Sequence, residues 1–305
     1  MQRTLSTAVI VGLLAATAAA FAITERLKLT KSPIMGTKIV REYVSPNAHT
    51  TAAFSIRFRR ADRLTVSILD AHRNEVDTLA YRVLVPRGRR TFTWNGRTDA
   101  GATAPDGKYR MEVHFADQRR TILIPNPIVL ESKPPVVLDA GVTPKTFSPD
   151  GDHQFDTVEI HYTLNEQAHV VVFIGGHRII RGRFSRPKDK VTWGGTLNGK
   201  LLPPGRYVLT VGAVDLAGNA AKKVEHVAVT LRYITLQKRR LTVQSRAVLR
   251  IGVSTDAKRY RWQLGGRSGV ASGHVLKLRA PAAPGRYRLT VTERGHSSAA
   301  AVVVR

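Results

Sequence analysis

"PPGRYVLTV" fills residues 203–211, and two variants of it stand elsewhere in the chain, "PDGKYRMEV" at 105–113 and "APGRYRLTV" at 283–291. Each sets Gly, a basic residue and Tyr ahead of a run that alternates apolar and polar positions. Tyr109, Met111, Val113 and Phe115 fall on one side of an extended chain, as do Tyr207, Leu209 and Val211, and then Tyr287, Leu289 and Val291. A period of two with one apolar side marks a strand that buries one face. The rhythm continues through the chain after residue 40. In "TVEIHYTL", residues 157–164, Val158, Ile160, Tyr162 and Leu164 point one way while Thr157, Glu159, His161 and Thr163 point the other. Such segments, broken by Gly, Pro, Asn and Asp about every ten residues, predict an all-β chain.

Working outward, two of the three stretches belong to a longer repeat. "FTWNGRTDAGATAPDGKY" runs from Phe92 to Tyr109 and "VTWGGTLNGKLLPPGRY" from Val191 to Tyr207. Both read Trp, one residue, Gly, a Gly-containing turn, then Pro, one residue, Gly, a basic residue and Tyr. The repeated positions are Trp94, Gly96, Gly107 and Tyr109 in the first copy and Trp193, Gly195, Gly205 and Tyr207 in the second. The pattern predicts a strand ending in a buried Trp, a tight hairpin at Asp99–Gly101 or Asn198–Gly199, and a second turn where Gly107 or Gly205 supplies positive φ. The third stretch keeps Gly285 and Tyr287 but lacks the Trp-x-Gly turn.

In immunoglobulin sandwiches a Tyr at the start of strand F sends its hydroxyl back to the chain just upstream, two residues before a core position that antibodies fill with Cys. Tyr109, Tyr207 and Tyr287 suit that corner, with Met111, Leu209 and Leu289 in place of the Cys. Trp262 in "RYRWQL" looks like the core Trp of strand C. The run from Phe92 to Tyr109 is similar to the immunoglobulin-like domain of the bacterial flagellar hook-capping protein, a module that recurs in exported proteases and surface proteins. The resemblance implies a fold rather than a flagellar role, because an apolar segment stands where a hook-assembly region would. "FSPDGDHQFD" at 147–156 resembles the Phe-Ser-Pro-Asn-Gly-Asp-Gly opening of domains in bacterial secreted and surface proteins, with a degenerate counterpart "YVSPN" at 43–47. "AVDLAGNAA" at 213–221 resembles the Asp-x-Ala-Gly-Asn turn that precedes the last strand of bacterial Ig-like domains.

The expected architecture is therefore tandem immunoglobulin-like β-sandwiches after an N-terminal hydrophobic helix. Pro-rich "ESKPP" at 131–135 and the segment "TLRYITLQKRR" at 230–240 mark the breaks. The expected divisions are a signal peptide or membrane anchor at 1–23, a linker at 24–40, Ig-like domains at 41–133 and 134–232, and a shorter one at 233–305.

Location is read from the N-terminus. Leu5 to Ile23 carries no charge, follows Arg3 and precedes Glu25, Arg26 and Lys28. Ala20, Phe21 and Ala22 supply a small-x-small cleavage site, the length approaches that of a bilayer span, and the basic flank opposes an anchor. Both readings place the protein in the cell envelope, either anchored with its C-terminal part outside or secreted.

The net charge of +26 and a pI near 11.2 favour polyanionic partners. Basic clusters occur at Arg57, Arg59 and Arg60, at Arg87, Arg89 and Arg90, and at Lys238, Arg239 and Arg240. Strand alternation places Arg57 and Arg59 on one side. No aromatics interleave for base stacking, which disfavours nucleic acid. The expected partners are envelope proteins or anionic cell-wall polymers, with the membrane added if the N-terminal segment stays uncleaved; the oligomeric state is left open.

Lack of Cys excludes disulfides, thiolate metal sites and Cys nucleophiles. The ten His residues form no His-Glu-x-x-His pattern, and "GGRSGV" around Ser268 has the wrong spacing for a nucleophile elbow. Asp150, Asp152 and Asp156 cluster in a Gly-containing loop and have the chemistry of a Ca²⁺ site. The full twelve-residue calcium loop with its terminal Glu is missing, and an Asx turn is the competing reading. No other cofactor is expected. The reading as a whole is a non-catalytic envelope protein with a structural, scaffold or adhesion role; the alternative is a basic protein that binds nucleic acid or another polyanion.

Overall fold

The structure, a computed structural model, describes residues 11–22 and 31–305. Residues 11–22 form a helix, about 18 Å long at the usual rise per residue. Among the described residues no helix is long and apolar enough to cross a membrane. The outer parts of the apolar N-terminal stretch and residues 24–30 of the expected linker lie outside the described residues, while Ile34–Arg41, at the far end of that linker, forms a strand. The chain divides into two compact units, Met1–Ser132 and Lys133–Arg305.

In the first unit the period-2 segments give each strand one apolar face, and two sheets close those faces on each other. One sheet runs in the order Ile34–Arg41, Ala52–Phe58, Gly88–Trp94. The other runs Tyr43–Val44, Ile128–Leu130, Gly107–Phe115, Asp62–Leu69, Glu75–Val85, and Arg120–Leu123 also pairs with Gly107–Phe115. Phe54, Ile56 and Phe58 meet Leu64, Val66, Ile68, Met111, Val113 and Phe115 between them. The Phe58 ring packs edge-on against Phe92 and Phe115, at 6.5 and 6.0 Å. The final strand is interrupted at "PNP", residues 125–127, because two prolines offer no N–H to the ladder. Pairing to Gly107–Phe115 therefore stops at Leu123 and resumes at Ile128.

The second unit repeats this plan around two further cores. The first of them lies between Val137–Thr143, Val158–Leu164, Lys188–Trp193 and the five-strand sheet Thr146–Phe147, Glu225–Leu231, Gly205–Asp215, Ala168–Ile174, His177–Arg181. The last lies between Thr235–Leu236, Val248–Ser254, Val275–Arg279 and the sheet Arg240–Val243, His296–Val304, Gly285–Glu293, Tyr260–Leu264, Arg267–Ala271. In every copy a short early strand pairs parallel with the final one, as Tyr43–Val44 does with Ile128–Leu130. The fold is all-β, a tandem of immunoglobulin-like sandwiches.

Met111, Leu209 and Leu289 are fully buried, plugging each core where a disulfide would otherwise sit. Trp262 differs from its expected role. It is only partly buried, and Tyr260 and Leu264 are the core side chains of that strand. The Trp262 indole instead covers Gly269 on the next strand, where a Cβ would stand 2.9 Å from it.

Candidate functional site

Three tyrosines turn back on their own turns. The Tyr109 hydroxyl donates to the Pro105 carbonyl at 2.5 Å, Tyr207 to Pro203 at 2.6 Å, and Tyr287 to Ala283 at 2.8 Å. Each bond reaches four residues upstream and holds the loop that leads into the strand. Tyr109 also packs at 4.8 Å against Trp94, and Tyr207 at 6.4 Å against Trp193. The indole N–H groups close the adjoining turns, Trp94 to the Arg97 carbonyl at 2.8 Å and Trp193 to Thr196 at 2.9 Å. Gly96 and Gly195 have φ of +78° and +74° and face Pro46 and Leu231 so closely that a Cβ would approach within 2.8 and 2.9 Å. Gly107 and Gly205 are not among the residues with positive φ. They begin strands, and the positive φ expected of them belongs to Gly101, Asn198 and Gly199 in the preceding hairpins.

A second constellation lies within the Lys133–Arg305 unit, where the loop before Val158–Leu164 meets two loops of the last sandwich. In the loop, Asp156 accepts the Gly151 and His153 N–H groups, one on each oxygen, both at 2.8 Å. Asp150 accepts the Asp152 N–H at 3.2 Å and the Ser148 hydroxyl at 3.2 Å. Asp152 accepts the N–H and side-chain amide of Gln154 at 2.7 and 3.2 Å. Asp156 is thereby committed to the turn, and Glu293, at the end of strand Gly285–Glu293, takes its place beside the other two. One carboxylate oxygen from each of Asp150, Asp152 and Glu293 falls within 4.8 Å of the rest.

Electrostatics at this junction are dominated by like charge. Burial, then the Asp150 carboxyl against it, then the charges of Asp150, Asp152 and Asp256 push Glu293 up to about 8. Burial and the charges of Asp150 and Asp152 push Asp256 up to about 6, against its own backbone N–H and the Ser148 hydroxyl. Nearby, Tyr233 and His296 stack with ring centroids 3.5 Å apart, and Ser298 accepts the Leu236 N–H at 3.0 Å. Glu293 was not visible as a partner in the sequence. "VTERG" carries no ligand spacing, and only the close approach of the two sandwiches brings it to the Asp loop.

Residues 45–118 match the family model of the FlgD Ig-like domain. The FlgD Ig-like span includes Trp94, Gly96, Gly107 and Tyr109, and stops before the broken final strand. No curated protein matches the chain. Among solved structures, the I-band fragment I67–I69 of titin is 11% identical, covers 90% of this chain and 99% of its own, and superposes with a TM-score of 0.30. The D0–D1 domain of intimin is 9% identical over 65% of this chain and 98% of its own, with a TM-score of 0.27. The Bacteroides ovatus protein SGBP-B from a mixed-linkage glucan utilization locus, solved with a mixed-linkage heptasaccharide, is 14% identical over 90% of this chain and 71% of its own, with a TM-score of 0.23.

Of the three basic clusters, those around Arg57 and Arg89 fall inside the FlgD Ig-like span, and the one at Lys238–Arg240 does not. Arg57 and Arg89 stand directly opposite each other on the outer side of the three-strand sheet, both exposed. Arg59, expected beside Arg57, lies past the strand end, where its guanidinium donates to the Ser32 carbonyl at 2.9 Å. The partner of Arg57 therefore comes from the neighbouring strand and not from its own.

Proposed function

We propose that this is a non-catalytic, exported cell-envelope protein whose tandem sandwiches act as a spacer, scaffold or adhesive element. The observation that supports this best is repetition, since one two-sheet plan accounts for the described β structure from Ile34 to Val304 apart from the small hairpin of Thr196–Leu197 and Lys200–Leu201. Ig-like folds are in general non-enzymatic, and the FlgD Ig-like match over residues 45–118 supports that reading of the first unit. Function resides in sites and surfaces grafted on a fold, and here those surfaces are loops, edges and basic faces. The apolar, uncharged N-terminal stretch after Arg3 supports export, by a cleaved signal or a retained anchor. The positive field supports partners among envelope proteins and anionic wall polymers.

The test is fractionation of the host with intact mass of the purified chain and protease shaving of whole cells. Expected is a chain accessible from outside, beginning near Ile23 if cleaved or full-length and membrane-bound if anchored. A full-length chain in the cytosol, protected from protease, overturns the proposal and brings the nucleic-acid reading forward.

A further inference from the structure

We propose that Asp150, Asp152 and Glu293 bind one calcium ion that locks the loop of the 137–231 sandwich onto the last sandwich of the chain. The carboxylates lack a direct counter-charge. In a chain with 48 Lys and Arg, no basic side chain among the described residues stands within ion-pair distance of Asp150, Asp152 or Asp256, and Glu293 has only Arg294 at 4.0 Å. Four carboxyl groups have gathered, and although Arg232, Lys258 and Arg259 line the adjoining clefts, none of them pairs directly with an Asp of the group.

Glu293 is 9% exposed, and its Oε2 is buried with no hydrogen-bond partner. A buried, unsatisfied carboxylate oxygen costs its full desolvation unless something compensates it. Water-exposed acidic clusters need no such compensation; this one does.

Geometry then selects the ligand. Oxygens bound to calcium lie about 2.4 Å from the ion, so any two of them are at most about 4.8 Å apart. The three carboxylates meet that limit. Asp150 and Asp152 use one lone pair per oxygen in the loop and keep others for a cation. All the donors are hard oxygens, with no His or Cys, which suits calcium over zinc or copper. Ser148 and Asp256 stand close by to complete the shell or hold water in it. Asp150 and Asp152 come from one sandwich and Glu293 from the next, so binding would join them, and the joint would stiffen.

The experiment is calorimetric titration of the full, chelator-stripped chain with CaCl₂, paired with thermal melts. Expected is one ion per chain with a Kd of about 0.1–1 mM, in the range of extracellular modules. At a tenfold excess over Kd the melting temperature of the ion-binding unit should rise by about 3–6 °C. Glu293→Gln should weaken binding at least about tenfold and remove the rise, while folding about as stably as the parent without calcium, because the amide keeps the size and polarity of the carboxyl it replaces. Lys258→Gln, on the neighbouring loop but outside the donor set, should leave both unchanged. No binding heat and no thermal shift up to about 10 mM would overturn the proposal. A shift that persists in Glu293→Gln would overturn it equally, by placing the ion elsewhere.

Discussion

A single methyl group is enough to probe the Trp-x-Gly turns. Adding one at Gly96 or Gly195 imposes a left-handed backbone on an L-residue and drives Cβ to 2.8 Å from Pro46 or 2.9 Å from Leu231. Strain and overpacking act together, so Gly96→Ala and Gly195→Ala should each cost about 2–4 kcal/mol in urea unfolding. Gly107→Ala is the contrast. Its Cβ would meet nothing within 4 Å and its φ is not positive, so the change should stay within about 0.5 kcal/mol. The three tyrosines form a graded series. Tyr109 is 4% exposed, and Tyr109→Phe, which strands the Pro105 carbonyl, should cost about 1–2 kcal/mol. Tyr287 is less buried, water can replace its hydroxyl, and Tyr287→Phe should cost less than about 1 kcal/mol. The Trp, Gly and Tyr positions were legible because turn chemistry and aromatic burial leave residue-type signatures. The role of Gly107 and Gly205 was not, since a glycine at a strand start and one at positive φ look alike in a sequence.

At the level of elements, the edge strand Glu75–Val85 carries its own titration. Asp77 faces the Asp99 hairpin, whose carboxylate accepts the Thr78 N–H at 3.0 Å. Burial comes first, then the hydrogen bond and charge of Asp99, and then Glu75, together raising Asp77 to about 6 from 3.8. A carboxyl raised in the folded state stabilises while protonated, so its contribution is full below about pH 4 and is lost as pH rises through about 6. The difference in stability between the parent and Asp77→Asn is therefore expected to widen, in favour of the variant, between about pH 4 and 7. Because Asp77 is partly solvated, the widening should be only about 1 kcal/mol, read by thermal melts at each pH. The long strands were legible from alternation alone, as in Val158–Leu164 with its strictly alternating burial. Two-residue strands such as Thr146–Phe147 span a single period, so the alternation never repeats and leaves no signal. Arg59 was misplaced for a related reason: alternation does not say where a strand stops.

For the whole molecule, the features with no local sequence signature are long-range. Asp150 and Asp152 could be singled out by spacing, but Glu293 and Asp256 join them only through tertiary approach, and Arg89 joins Arg57 only through strand pairing. The Arg57–Arg89 pair yields a prediction about what the +26 charge is for. Like charges directly opposite in a sheet are destabilising, by roughly 0.2–1 kcal/mol. Replacing both with Ser should therefore raise the stability of the first unit by up to about 1 kcal/mol, measured by urea unfolding. If the face binds an anionic polymer, the same replacement should elute the protein from a polyphosphate column at lower salt than the parent, because fewer counterions are exchanged on binding. A control replacement of the same charge, Lys222→Ser with Lys223→Ser in the second unit, should shift elution less. Stability and binding then move in opposite directions for the Arg pair alone, the pattern of a surface kept charged at a cost to folding. Equal elution shifts for the two replacements would instead mean that the protein binds polyanions through its diffuse field, and that Arg57 and Arg89 are ordinary solvated residues.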